Sequence, residues 1–295
     1  MATVVAVNGE QPDFVVMTGD LSDTASAAEL EMARSILDGI TVPWIVCPGN
    51  HDSTDAGDRS AFDRIFGDRV PQGPVTDGVL PLPGGIYAVV FAAERHTQDG
   101  GWRVYLPEHA VEQIVAVLDG LRPNLLLVFC HFPFVRQSAF IAEQSGGDGK
   151  NAGTLWQGER ALEALAATAG QTLVFTGHQH FHHIARGSGW LHVTTASLVE
   201  YPAEYRVVTS GPQGTSIRTA CGVPEVVDAN PPGVVWVRGR DEDRTISEMC
   251  SALVRGIDCF HMCFKIVGEV IGDSALKIGA RRVQILTLRS CVRDT

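Results

Sequence analysis

Apolar positions along this chain come in short blocks, and several blocks end on an ionisable residue. Asp13 to Thr18 reads Asp-Phe-Val-Val-Met-Thr, which predicts a buried strand ending at Gly19-Asp20. Over Ser22 to Asp38 the apolar positions Leu30, Met32, Ile36 and Leu37 predict a helix, capped by Ser22 or Asp23 and closed at Gly39. A second strand, Trp44 to Cys47, runs into Pro48-Gly49-Asn50-His51-Asp52. Two strand-to-loop junctions separated by one helix form a βαβ rhythm, and open α/β sheets bind ligands beyond the carboxyl ends of their strands.

The rhythm continues after a Gly/Pro-rich stretch. Ile86 to Ala92 predicts a strand, and Pro107 to Leu121 a helix with apolar Val111, Ile114, Val115 and Leu118. Asn124 to Cys130 is the clearest strand and delivers His131. A polar loop, 144–153, precedes a helix over Gly158 to Ala169, and the strand Thr172 to Thr176 feeds Gly177-His178-Gln179-His180. Further strands are expected at Trp190 to Thr195 and Tyr205 to Thr209. Pro, Asn and Asp around Pro224 to Gly233 suggest a boundary, giving a domain over 1–223 and a C-terminal extension over 224–295.

Composition narrows the class. With 295 residues, 45% hydrophobic and 19% charged, the chain can bury one sizeable α/β core. The formal charge of −11 repels phosphate backbones, so non-specific nucleic-acid binding is disfavoured. No apolar run is long enough to span a bilayer, and no membrane partner is expected. Seven cysteines without regular pairing fit buried thiols in a reducing, cytoplasmic setting better than a disulfide framework.

The candidate chemistry lies at the strand ends. Hydrolysing a phosphate ester at neutral pH needs a hydroxide nucleophile and positive charge against the phosphoryl oxygens, which paired metal ions supply. Asp20, Asn50, His131, His178 and His180 each follow an apolar strand, so one sheet edge could gather them around a point. Each has an ordinary alternative use: Asp20 as a helix cap, Pro-Gly-Asn as a turn, His131 as a hydrogen-bonded core residue. In extended backbone His178 and His180 would project from one face, which suits two adjacent metals. His182 and His183 fit a solvated loop and are left outside the ligand set.

In this order, Gly19-Asp20, Gly49-Asn50-His51-Asp52, His131 and Gly177-His178-Gln179-His180 resemble the calcineurin-like metallophosphoesterase superfamily, especially its bacterial phosphodiesterase branch, which includes class III cyclic-nucleotide phosphodiesterases. Over roughly residues 10 to 220 the resemblance implies a four-layer αββα sandwich with a two-metal centre. It implies Asp20 as bridging carboxylate, Asn50, His131 and His178 as the other ligands of one metal, and His180 as a ligand of its neighbour. The metals would be one or two divalent ions among Mn, Fe, Zn and Mg. His51 would contact the phosphoryl group and protonate the leaving oxygen, with Asp52 holding its imidazole. The expected substrate is a small phosphoester, with a cyclic nucleotide among the candidates, attacked by metal-activated hydroxide; a homodimer is left open.

The front of the chain departs from the pattern. The family opens on an Asp-x-His motif, and residues 1–12 contain neither residue, resembling instead the end of the helix after that first strand. The expectation is a truncated domain lacking its first strand and two ligands of the second metal. It would have an exposed sheet edge, which the alternating segment Arg282 to Arg289 could cover. The alternative function is a catalytically impaired relative acting as a protein-binding scaffold.

Overall fold

A computed structural model describes residues 2–70, 78–82, 84–98, 101–145, 153–199, 201–211, 214–222, 235–249 and 262–267. Two six-stranded sheets lie face to face between helices, the expected αββα order. Strands β1 (Phe14–Met17) and β2 (Trp44–Val46) belong to the first sheet with β11 (Glu204–Gly211), β12 (Gly214–Cys221), β13 (Ile246–Met249) and β14 (Met262–Val267), in the order β13-β12-β11-β14-β1-β2. The second sheet runs β3-β4-β7-β8-β10-β9, with β3 Val79–Leu82, β4 Ile86–Phe91, β7 Leu125–Cys130, β8 Thr172–Thr176, β9 His183–Gly187 and β10 Trp190–Thr194. A separate hairpin pairs β5 (Glu94–Gln98) with β6 (Gly101–Tyr105).

Strand alternation explains the layering. In β1, Phe14 and Val16 face the second sheet and join one core with Leu127, Phe129, Leu173 and Phe175. Val15 and Met17 face the other way and pack with Val4 and Val7 of α1 (Ala2–Gly9), Leu30 and Leu37 of α2 (Ala27–Leu37), and Phe62 and Phe66 of α3 (Ser60–Phe66). On the far side Leu126, Val128 and Val174 pack with Ile114 and Leu118 of α4 (Glu108–Leu121) and Leu162 and Leu165 of α6 (Gly158–Ala166), α5 being Ala139–Gln144. Each fully buried side chain of this size contributes about 1.5–3 kcal/mol, offset by the entropy of ordering the chain.

Three expectations change. Helix α2 is capped by Ser26, whose side chain accepts from Glu29 N–H, rather than by Ser22 or Asp23. Ser22 is used in the preceding loop, where its hydroxyl donates to the His51 carbonyl and accepts from Ala25 N–H. Met32, counted among the apolar face, is exposed while Ala33 is buried. The place beside β1 is also filled: β14 pairs parallel with it, Phe14 opposite Phe264 and Met17 opposite Val267, and β11 closes on β14 from the other side. Arg282 to Arg289, proposed for that place, lies outside the described residues. Parts of the expected C-terminal extension therefore belong to the main sheet, β14 near its centre and β13 at its edge.

Candidate metal centre

Strands β1, β2, β7 and β8 end at one edge of the sandwich, and their loops meet there. Gly19 at the end of β1 has φ 101°, and a Cβ on it would lie 2.8 Å from both Gly49 N and His131 Nδ1. A Cβ on Gly49 would lie 2.2 Å from Asp20. The glycines thus let two loops and a histidine close on the Asp20 carboxylate, a task no larger residue performs.

Within that space the His131 ring is fully buried, its Nδ1 2.7 Å from the Thr18 carbonyl. A carbonyl only accepts, so Nδ1 carries a proton and Nε2 faces the centre. Nε2 lies 3.2 Å from Asp20 Oδ2, 3.1 Å from Asn50 Oδ1 and 3.1 Å from His178 Nδ1. Donor atoms of Asp20, His131 and His178 all fall within 4.8 Å of one another. Asp20 also accepts from His51 N–H at 2.8 Å through Oδ1.

A carboxylate, an amide oxygen and two imidazoles converging their lone pairs are a hard-to-borderline donor set suited to a divalent ion such as Mn, Fe or Zn. The residues fit the group. Burial raises the Asp20 pKa, but the imidazoles of His131, His51 and His178 around it together outweigh burial and hold the carboxyl well below its ordinary range. Asp52 shifts the other way: burial, then repulsion from Asp20, raises it.

The backbone around the candidate ligands is unusual. Asp20, His178 and His180 have φ of 56°, 66° and 57°, in the left-handed region. His178 and His180 are therefore not on an extended strand; Gln179 N–H donates to the Gly177 carbonyl at 2.7 Å, closing a tight turn. His178 reaches the cluster and His180 is not among the residues whose donor atoms gather there.

His51 and Asp52 are not coupled as expected. The Asp52 carboxylate accepts from Leu21 N–H (2.6 Å), Gly49 N–H (2.8 Å) and Ser22 N–H (3.3 Å), tying together the two ligand loops. The His51 ring instead has Nδ1 2.8 Å from the Asp23 carbonyl, which fixes the proton on Nδ1. Asp23 was considered only as a helix cap, and pairing across loops leaves no sequence period to read. His182 and His183 are buried rather than solvated.

Beside Asn50 and Phe132 opens a cleft of about 650 Å³ lined by Arg59 and the acidic Asp58, Asp63 and Glu94, where Arg59 Nε donates to Asp63 Oδ1 at 2.9 Å. Gly153 packs against the His178 ring: a Cβ there would lie 2.0 Å from His178 Nε2.

A four-layer sandwich with carboxylate, amide and imidazole side chains gathered at its strand ends is the arrangement that the resemblance to metallophosphoesterases implied. The family model for calcineurin-like phosphoesterases matches residues 2–182, more than half of the chain, and the chain belongs to that family. A protein of Rhodopseudomonas palustris named "Probable cyclic nucleotide phosphodiesterase" is 37% identical over 67 residues, 22% of this chain and 23% of its own length. The glycerophosphodiester phosphodiesterase GpdQ of Enterobacter lignolyticus is 34% identical over 71 residues, 23% and 24% of the two chains. The matches thus span about a quarter of these relatives. The solved structure of GAP50, the anchor in the inner membrane complex of Plasmodium, overlaps with TM-score 0.36 at 13% identity, over 66% of this chain and 65% of that one, too low a score to bear on fold or function. Among the described residues no helix is long and apolar enough to cross a membrane.

Proposed function

We propose that this chain is a metal-dependent phosphodiesterase acting on small phosphodiesters. The observation that carries the reading is the convergence of Asp20, His131 and His178, with Asn50 in hydrogen-bond reach of His131. Asp20, Asn50, His131 and His178 would hold one divalent ion, and His180 would serve a neighbouring one. When bound, the metal supplies Lewis acidity toward a phosphoryl oxygen and toward water.

The protein's own residues supply orientation and proton handling. Thr18 and Asp52 fix the ligand loops, so the donors need little rearrangement to bind. His51 sits at the rim, with one third of its side chain exposed. With Nδ1 engaged by the Asp23 carbonyl, the Nε2 of its imidazolium form would donate to the departing oxygen. The cleft beside Asn50 would seat the ester substituent, with Arg59, ion-paired to Asp63, in its lining. The R. palustris and E. lignolyticus relatives are named for a cyclic nucleotide and a glycerophosphodiester respectively, and both substrate classes are reasonable probes for this cleft.

The test compares hydrolysis of bis-p-nitrophenyl phosphate with that of p-nitrophenyl phosphate, with added manganese or with chelator, for the native protein and His178→Ala. Manganese-dependent turnover of the diester that His178→Ala abolishes supports the proposal. No turnover under any condition favours the scaffold alternative.

A further inference from the structure

The tight turn bearing His178 and His180 is anchored from behind by residues 235–244, which lie outside the stretch matched by the family model. His182, two positions beyond His180, is fully buried and its N–H donates to the Val237 carbonyl at 2.8 Å. Its Nδ1 accepts from Ala196 N–H at 3.2 Å, which places the ring proton on Nε2. That Nε2 lies 3.2 Å from Oε2 of Glu204, at the start of β11, a close charge contact that falls short of hydrogen-bond geometry.

Glu204 is itself buried, and a lone buried carboxylate would be costly. Arg244 clasps it with both terminal nitrogens, at 2.7 and 2.8 Å, and Arg238 adds a third contact at 2.9 Å. Both arginines come from the short 3₁₀ turn Val235–Arg238 and α7 (Asp241–Arg244). Between them Gly239 presses on the histidine loop, a Cβ there falling 2.6 Å from the His182 carbonyl. The Trp236 ring lies 5.9 Å from that of Phe181.

Buried ionic networks add little net stability over apolar packing, and their best-attested use is to select one geometry. Here the geometry needing selection is next door. Two left-handed histidines persist only where their flanks are held. One flank is fixed by Gly177 N–H donating to the His131 carbonyl at 3.0 Å; the other is fixed by His182.

We propose that Glu204, clasped by Arg238 and Arg244, is a positioning residue for the metal centre: it holds His182 and so sets the His178 turn, making residues 235–244 a working part of the site. This rests on the reading of His178 as a metal ligand.

The experiment measures Co²⁺ affinity by competition with a chelating indicator, together with the visible absorption of the Co²⁺ protein, for the native chain, Glu204→Gln, Arg238→Gln and His178→Ala. Arg238→Gln touches the more exposed end of the cluster and is available if Glu204→Gln does not fold. Ile217→Val, in the core between the sheets, serves as a comparator for simple loss of stability. The proposal expects roughly ten-fold or more weaker Co²⁺ binding and a shifted absorption band in Glu204→Gln, a smaller change of the same kind in Arg238→Gln, and native binding in Ile217→Val. Native binding and spectrum in Glu204→Gln, or in Arg238→Gln if it alone folds, while His178→Ala loses the metal, would overturn the positioning role alone. An equal loss in Ile217→Val would do the same. If the native chain takes up no Co²⁺, the ligand reading falls, and the positioning role with it.

Discussion

His131 Nε2 lies 3.2 Å from Asp20 Oδ2, both side chains essentially buried, although one follows β7 in the second sheet and the other β1 in the first. The contact ties the two sheets together at the edge where the candidate ligands collect. It makes the site a property of the sandwich rather than of any single loop.

His51 and Asp52 should separate by phenotype. His51→Gln is expected to lower kcat on a diester by about 100-fold or more while leaving metal affinity and stability near native, as for loss of a proton donor. Asp52→Ala leaves the N–H groups of Leu21, Ser22 and Gly49 without their acceptor and should cost about 2–3 kcal/mol. Urea unfolding in chelator, alongside steady-state kinetics, distinguishes the two.

Gly153→Ala should weaken metal binding about ten-fold or more, because its methyl group would collide with His178 Nε2 and push the ring from its place. Calorimetric manganese titration checks this; unchanged affinity would mean that the 153 segment yields instead of the ring.

Stability should fall on mild acidification. Burial, and then the positive charge of nearby His183, depress the His192 pKa to about 3, and burial with Arg206 holds His182 at about 3 as well. An unfolded imidazole protonates near about 6.5, so between those values the unfolded chain binds more protons. The stabilising contribution is complete above about pH 6.5 and is lost progressively as pH falls toward 3, at up to about 1.4 kcal/mol per pH unit for each ring. Urea melts from pH 7 to 5 in chelator should show this slope, and His192→Gln should reduce it.

Much of the fold was legible because its strands are buried on both faces. β7 and β8 are continuous apolar runs ending at His131 and Gly177, and the structure places Leu125–Cys130 and Thr172–Thr176 as strands there. The candidate site was legible where each candidate ligand follows such a run, as with Asp20, Asn50, His131 and His178. Sequence spacing could not show that the His178 turn is left-handed, that Asp52 serves backbone amides, or that His182 is buried against Glu204. Those depend on loops meeting across the sandwich. Likewise β9 and the hairpin β5–β6 are short, the longer β12 is largely polar, and their pairing is set by neighbours rather than by a period of their own.

Truncation after residue 222 should abolish the folded state, since it removes β14 from between β1 and β11 along with β13 and the arginines that neutralise Glu204. Circular dichroism and a thermal melt of that shortened chain check this; a cooperative transition near that of the full chain would show that β14 is dispensable.

The central claim is that Asp20, Asn50, His131 and His178 hold a divalent metal. Isothermal titration of manganese into the metal-stripped protein and into Asp20→Ala tests it most directly. The account predicts at least one tight equivalent in the native chain and binding about 100-fold weaker or absent in Asp20→Ala. No uptake by the native chain, or equal uptake by both, would contradict it.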